Sequence, residues 1–406
     1  MIVLNHVIDV IVIGGGAAGM IAAVTASEQG KRVLLLEKSD RPGRKILASG
    51  NGRCNLMNSG SLKYFGDEEF AKQVLQNCTQ QEIATFFFRY GLILREEDEN
   101  RIYPATGQAV SVVSVLKNAM NLRCVQSVMN CRVLSVSYHE HRFVLVTDRH
   151  ETYETDRLIL ACGGAVQPKL GGSNDGYQLL EKLGHTIVSP APALVPINTD
   201  RKSISGLSGL RIRCSVRLMK DQHMIHTENG EVLFTDYGVS GICIMQCARF
   251  VTQPDMYLEL DFLSDTFPDR SKLRDEIQRR KQFFSECSPL WLMNGILPEK
   301  LTYAVLKQAG LPLRGETAGN TEDNFLDHII ETASRYRLDI ISNRGFDYAQ
   351  VTAGGADCRQ FDPSSMRSMI IPELYAAGEV LNVDGDCGGF NLMFAFASGI
   401  IAGRNV

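Results

Sequence analysis

Near the start of the chain three glycines stand at Gly14, Gly16 and Gly19, the spacing G-x-G-x-x-G, and an acidic residue, Glu37, follows 18 positions after the last of them. That pattern suits a pyrophosphate. The first glycine permits a tight turn, the second lets the backbone approach phosphate oxygens, and the third lets a helix pack close to a strand. The phosphate charge then meets free N–H groups and the positive end of a helix dipole. Glu37 is placed to accept hydrogen bonds from ribose hydroxyls, and its charge repels a 2′-phosphate.

The elements around the motif agree with that chemistry. Residues 9–13 (DVIVI) form a short β-branched run into the glycines, small and apolar residues follow through Ala26, and residues 33–36 (VLLL) are a continuous apolar run ending at Glu37. This reads as strand, glycine turn, helix, buried parallel strand. Just beyond lie 41–45 (RPGRK) and 49–55 (SGNGRCN), whose glycines and cations suit a loop over phosphates and a ring system. Near the far end, 374–379 (LYAAGE) repeats the strand-then-Gly-acid form that binds flavin ribityl oxygens. A simple NAD enzyme completes its cofactor domain within one contiguous half. A site drawn from both ends of the chain points instead to FAD. The helix beginning near Asn391 aims its N-terminus at the flavin N1/O2 edge, where negative charge develops on reduction, so Asn391 and Leu392 are expected flavin neighbours.

Hydride transfer at flavin N5 needs little from a protein beyond positioning and charge stabilisation. The expected residues of the flavin face, and so the catalytic candidates, are Arg53, Asn55, Tyr103, Tyr237 and Asn391. No second G-x-G-x-x-G follows a strand in mid-chain, so NAD(P)H is expected as a transient co-substrate, or else oxygen or another acceptor reoxidises the flavin. Cys54 has no partner a few residues away, which disfavours a flavin disulfide reductase; Cys54 and Cys387 both fall in flavin-associated segments. His139/His141 and His223/His226 read as solvated hairpin residues, and no metal site is expected.

Composition sets the outer bounds. The chain has 406 residues, 44% apolar and 22% charged, with a net charge of −4. That length predicts more than one domain, and that charge gives no electrostatic footprint for nucleic acid or an anionic membrane. Eleven cysteines without metal spacing read as reduced thiols of a cytoplasmic protein. The apolar first 26 residues lack a preceding Lys or Arg and contain Asp9, unlike a leader, and no other stretch reaches a membrane span. Glycine counts 36, and 13 of these lie in the 30 positions 14–19, 43–52, 163–164 and 378–389.

Farther along, 68–90 reads as two helices, the second opened by Thr79-x-x-Glu82 and closed by Gly91. Runs at 132–138, 142–147 and 157–160 read as an antiparallel meander returning to Cys162-Gly-Gly. SPAPALVP from Ser189 marks a boundary, after which Ile212, Cys214, Val216 and Leu218 alternate with Arg211, Arg213, Ser215 and Arg217, a strand with a solvated basic face. Residues 271–286 and 321–336 read as amphipathic helices. The expected organisation is an FAD domain in two parts, 1–191 and 346–406. Between them stands an insertion, 192–345, with a β-barrel over 192–264 and about 336–345 and a helical part over about 265–335.

Several longer segments carry a family likeness. GRKILASGNGRCNLMN (43–58), RIYPATGQAVSVV (101–113), DGYQLLEKLGH (175–185), PALVPI (192–197), FTDYGVSG (234–241), VTAGGAD (351–357) and LYAAGEVLNVDGDCGGFNLMFAFASG (374–399) occur in family order. By these the chain resembles the HI0933/YhiN-type flavoproteins, which include aminoacetone oxidase and BaiN-like bile-acid reductases. The resemblance implies an α/β fold: a glutathione-reductase-like FAD-binding Rossmann domain with an inserted β-barrel and small helical domain. It implies cofactor contact at Gly14, Gly16, Ala17, Ala18, Gly19, Glu37, Lys38, Arg44, Lys45, Ser49, Gly50, Ala161, Gly163, Gly378, Glu379, Gly389, Asn391 and Leu392, with Val128 near the adenine. The chain departs from the family pattern at Val166-Gln167-Pro168, Asp236 and Asn382. Three functions stay open: an FAD oxidoreductase acting on a small organic C=C, C–N or C–O bond, with C=C reduction and amine oxidation as its two forms; a flavin-dependent RNA-modifying protein, disfavoured by charge; and a flavin-binding sensor.

Overall fold

The structure is a computed structural model that describes residues 8–252, 255–311 and 316–406; the start of the apolar N-terminal run, residues 1–7, lies outside them. The chain divides into two compact units, one of residues 1–192 with 350–406 and one of residues 193–349.

In the first unit a five-stranded parallel sheet has the spatial order Leu374–Ala376, Arg157–Leu160, Val10–Ile13, Val33–Leu36, Gln126–Val128. Val10–Ile13 and Val33–Leu36 are buried throughout, as expected of strands covered on both faces. The helix Ala17–Glu28 follows the glycine turn. Against it packs the C-terminal helix Phe390–Asn405, apolar on nearly every face, which fits a helix enclosed by protein. Their backbones come unusually close: a Cβ added at Gly399 would stand 2.5 Å from the Ala18 carbonyl oxygen, and one at Gly403 2.5 Å from that of Ala22. The predicted helix pair is Glu68–Asn77 and Gln80–Arg89, and the second carries a complete capping box between Thr79 and Glu82.

The predicted meander needs correction. Its strands are Val133–His139, Arg142–Thr147 and Thr152–Thr155, whereas Arg157–Leu160 belongs to the parallel sheet beside Val10–Ile13. Leu158, Ile159 and Leu160 are fully buried, which an edge of a half-solvated antiparallel sheet would not allow. Thr152–Thr155 is half-exposed and polar, so no apolar alternation announces it.

In the second unit six strands close into a barrel in the order Ile197–Thr199, Gly238–Ser240, His223–Phe234, Arg211–Lys220, Met256–Asp261, Tyr336–Asn343. Cys214, Val216 and Leu218 point inward, and Arg211, Arg213 and Arg217 pair with Glu231, Asp265 and Glu259. Between the last two of these strands in the chain lie the helices Arg270–Phe283, Glu299–Gln308 and Asp323–Ser334. Among the described residues no helix is long and apolar enough to cross a membrane.

Candidate functional site

Strand order reverses at Val10–Ile13: the chain runs outward from it to Val33–Leu36 and Gln126–Val128 on one side, and to Arg157–Leu160 and Leu374–Ala376 on the other. In open parallel sheets, ligands bind outside the carboxyl ends of the strands at such a switch point. Gly14, Glu37, Val128, Ala161 and Gly378 all stand at those ends.

The glycine turn is built by close approach. Gly14 has φ +106, and a Cβ there would lie 2.4 Å from the Ala161 carbonyl oxygen; at Gly19 one would lie 1.8 Å from that of Gly14. Gly16 differs, since it is exposed and a Cβ there would meet nothing within 4 Å. It opens the Ala17–Glu28 helix with no side-chain cap, so the first-turn N–H groups are left for a ligand. Glu37, only 9% exposed, staples this turn. Its carboxylate accepts the Gly15 N–H at 2.6 Å and the Ser39 N–H at 2.7 Å, and each oxygen retains acceptor capacity for a ribose hydroxyl. The Glu37 N–H donates to the Val128 carbonyl at 2.9 Å.

A second cluster joins segments far apart in the chain. Lys45 Nζ donates to Glu379 Oε2 at 2.6 Å, and the Thr352 N–H donates to Glu379 Oε1 at 2.9 Å. Thr352 Oγ1 in turn accepts the N–H groups of Ala165 and Val166 at 2.9 and 3.3 Å. Beside it Gly164 has room for no side chain, a Cβ falling 2.3 Å from Thr352 Oγ1 and 2.6 Å from Glu379 Oε1. The Gly378 N–H is held by Ser398 Oγ at 3.0 Å, and Gly163 turns at φ +73.

The third part is the loop from Ser49 to Asn55 against strand Arg101–Pro104. Ser49 Oγ donates to the Ile46 carbonyl at 2.7 Å, and a Cβ at Gly50 would sit 3.7 Å from Tyr103. The Arg53 guanidinium lies 4.3 Å over the Tyr103 ring and donates to both oxygens of Glu97 at 2.6 and 2.8 Å. Asn55 is buried, and its Oδ1 has no hydrogen-bond partner. At the head of the C-terminal helix Gly389 provides an uncapped N-terminus. The Asn391 side chain holds the preceding loop, accepting the Gly385 N–H and donating to the Gly385 carbonyl, both at 2.8 Å, so only its backbone is free to face a ring; Leu392 is half-buried beside it.

Several expected residues face protein groups instead. Lys38 Nζ donates to Ser173 Oγ at 2.5 Å and to Asp175 at 3.1 Å, and Arg44 donates to the Lys169 carbonyl at 2.7 Å. Lys38, Arg44 and Lys45 therefore meet protein acceptors, and the uncapped N–H groups of the first turn of Ala17–Glu28 are left as the phosphate donors. Tyr237 lies in the barrel unit, under the Arg344 guanidinium at 3.9 Å, and that guanidinium also covers Tyr348 at 3.6 Å. Cys54 and Cys387 are free thiols; burial pushes Cys54 up to about 12 and raises Cys387 as well, so neither is a ready nucleophile at neutral pH. Thr352 and Glu97 were not singled out by sequence. Thr352 sits within the likeness segment VTAGGAD, but no spacing marks a threonine as a backbone staple.

The residues fit FAD. An open, uncapped helix start beyond a glycine turn, an acid beside it, a Gly-acid turn from the far end and a buried amide oxygen awaiting a donor together match a dinucleotide with a hydrogen-bonding ring.

The profile of the HI0933-like protein Rossmann domain matches residues 8–405. The chain is 32% identical over 403 residues to the 3-dehydro-bile acid Δ(4,6)-reductase of Clostridium scindens, covering 97% of each chain. It is 28% identical over 398 residues to the ribosomal RNA dihydrouridine synthase of Escherichia coli, covering 96% of each. Among solved structures, a 3-ketosteroid-Δ4-(5α)-dehydrogenase from Rhodococcus jostii aligns with TM-score 0.53 at 14% identity, over 99% of this chain and 97% of that one. A flavocytochrome c3 fumarate reductase aligns with TM-score 0.50 at 15% identity, over 99% and 78%. These two share the fold. Matched by that profile across nearly its whole length, the chain belongs to the HI0933-like family of FAD-dependent oxidoreductases.

Proposed function

We propose that this protein reduces a carbon–carbon double bond conjugated to a carbonyl in a small organic molecule, with NAD(P)H as transient electron donor. The observation that carries this reading is the 32% identity, over 97% of both chains, to a reductase named for the 4,6 double bonds of a 3-dehydro-bile acid. The name dihydrouridine synthase describes a related saturation, since the double bond of a uracil ring is also conjugated to a carbonyl.

Bound FAD supplies hydride transfer. Glu37 and the N–H groups after Gly16 hold its nucleotide end, and the Lys45–Glu379–Thr352 cluster fixes the turn expected at the ribityl chain. The first turn of Phe390–Asn405 offers N–H groups to negative charge. Saturating the bond also needs a proton at the carbon next to the carbonyl. Tyr103, whose ring lies against the Gly50 turn, carries one on its hydroxyl, and we assign that role to it.

The test is anaerobic stopped-flow spectroscopy of the FAD-loaded protein. Bleaching of the visible flavin band by NADH or NADPH, then rapid recovery on adding an enone, supports the reading. Recovery with oxygen but not enones, after bleaching by an amine, replaces it with amine oxidation. No bleaching by any reductant refutes turnover. A second reading, reduction of uridine in RNA, is favoured by the 28% identity over 96% of the chain and opposed by the net charge of −4; recovery with a uridine-containing RNA but not with small enones would establish it.

A further inference from the structure

We propose that the side-chain oxygen of Asn55 accepts the N3–H of bound flavin, so that the 49–55 loop and the start of the C-terminal helix together read the imide edge of the ring. The inference rests on FAD as cofactor and names a contact within that site. Asn55 is 9% exposed, and its Oδ1 is buried without a donor. Native proteins rarely leave such an atom unfilled, and the exceptions call for a missing partner.

The backbone delivering this residue is strained. Gly50, Asn51, Gly52 and Cys54 all have positive φ, at +55, +55, +81 and +58; glycine and asparagine tolerate that region, whereas the side chain of Cys54, directly before Asn55, disfavours it. Such conformations persist where the surroundings impose them and cluster at ligand clamps. The facing wall is Gly389 at φ +105, where an added Cβ would fall 2.8 Å from Asn55 Oδ1 and 2.4 Å from the Met57 carbonyl oxygen. Any side chain there would collide with Oδ1 and with the Met57 backbone.

Gly389 also caps the helix Phe390–Asn405 without a side-chain acceptor, and the Asn391 amide is engaged with Gly385. The wall therefore presents an unfilled acceptor, Asn55 Oδ1, beside unfilled backbone donors. The imide edge of an isoalloxazine is the complement: an N3–H donor flanked by the O2 and O4 acceptors. N3–H is present in both oxidised and reduced flavin, so Asn55 contributes to affinity in both states rather than to the redox equilibrium.

The experiment titrates full-length apoprotein with FAD and with 3-methyl-FAD, which lacks the donor and adds bulk at that atom, and reads affinity by flavin fluorescence. Wild type is expected to prefer FAD by about tenfold or more, the loss of one buried hydrogen bond. Asn55→Ala and the similarly sized Asn55→Leu are each expected to weaken FAD by about tenfold. Asn55→Ala, which also clears space, is expected to bind the two flavins within about twofold of each other. A wild type that takes 3-methyl-FAD as tightly as FAD overturns the proposal without any variant, and so does a folded variant that keeps wild-type affinity or the full preference. Wild type that takes up neither flavin overturns the cofactor reading itself.

Discussion

Replacing Glu37 by alanine separates two roles the structure gives one carboxylate. Its oxygens accept the Gly15 and Ser39 N–H groups at 2.6 and 2.7 Å, and it is proposed to accept the ribose hydroxyls as well. Without the carboxylate the buried Gly15 N–H loses its partner outright, at about 1–3 kcal/mol, whereas the half-exposed Ser39 N–H recovers water and loses less. The apoprotein should therefore lose about 2–4 kcal/mol. In a unit of this size that lowers the melting temperature by roughly 4–8 °C. The ribose bonds add a separate loss of about 1.5–3 kcal/mol in binding, which is about 10- to 100-fold in FAD affinity. Differential scanning fluorimetry with and without FAD distinguishes the two. The apo midpoint must fall, and the rise in midpoint that FAD produces must shrink as well. A variant whose apo midpoint falls but whose FAD-induced rise equals that of wild type would show that Glu37 only holds the loop. An unchanged apo midpoint would refute the stapling argument.

Three further outcomes follow from the geometry. Tyr103→Phe should leave flavin reduction by NAD(P)H intact and slow its reoxidation by an enone by about 10²- to 10⁴-fold, the usual weight of a general acid; equal reoxidation rates in stopped flow would remove Tyr103 from the chemistry. Gly399→Val places atoms where the Ala18 carbonyl oxygen and Ile21 already stand within 2.5 Å of a Cβ, so overpacking should cost about 1–3 kcal/mol or more, read as a lower denaturation midpoint. His185 is buried, 2.8 Å from Ser368 Oγ and stacked on Phe361, and burial holds it below its ordinary 6.5. The unfolded chain therefore takes up this proton more readily, so stability is full above 6.5 and falls as pH drops through that value. In urea titrations from about pH 7 to about pH 5, His185→Gln should lose less stability than wild type, and parallel losses would refute the assignment.

What the sequence made legible follows from how local each signal is. Strand Val10–Ile13, the turn and helix Ala17–Glu28 are specified within 20 residues by steric needs that only glycine meets, and the capping box at Thr79 is likewise local. Arg157–Leu160 was legible as a strand but not as a parallel one, because its partners, Val10–Ile13 and Leu374–Ala376, lie about 150 and 220 positions away. The same limit applies at the site. Arg53 and Asn55 could be nominated from a glycine-rich loop, yet Glu97 and Thr352, which fix that loop and Glu379, declare themselves only through contacts. Lys38 and Arg44 illustrate the converse. The family likeness implied cofactor contact for both, and the fold sets acceptors at Asp175 and Lys169 against them.

Those long-range contacts bear on how cofactor binding and folding are coupled. Lys45 and Glu379 are 334 positions apart and meet at 2.6 Å, and Asn58 Nδ2 reaches the Gly388 carbonyl at 2.9 Å across 330 positions. Closing so large a loop carries an entropic cost that only many simultaneous contacts offset. The barrel and helices of residues 193–349 lie within that stretch of sequence, so a second unit separates the two halves of the FAD site along the chain. A ligand that touches both halves binds only the chain in which they have already met, and it stabilises that state by mass action. The surplus of glycine at 14–19, 43–52 and 378–389 is then explained twice over. It gives backbone close access to a cofactor, and it lets segments from opposite ends of the chain pack at distances a side chain would forbid.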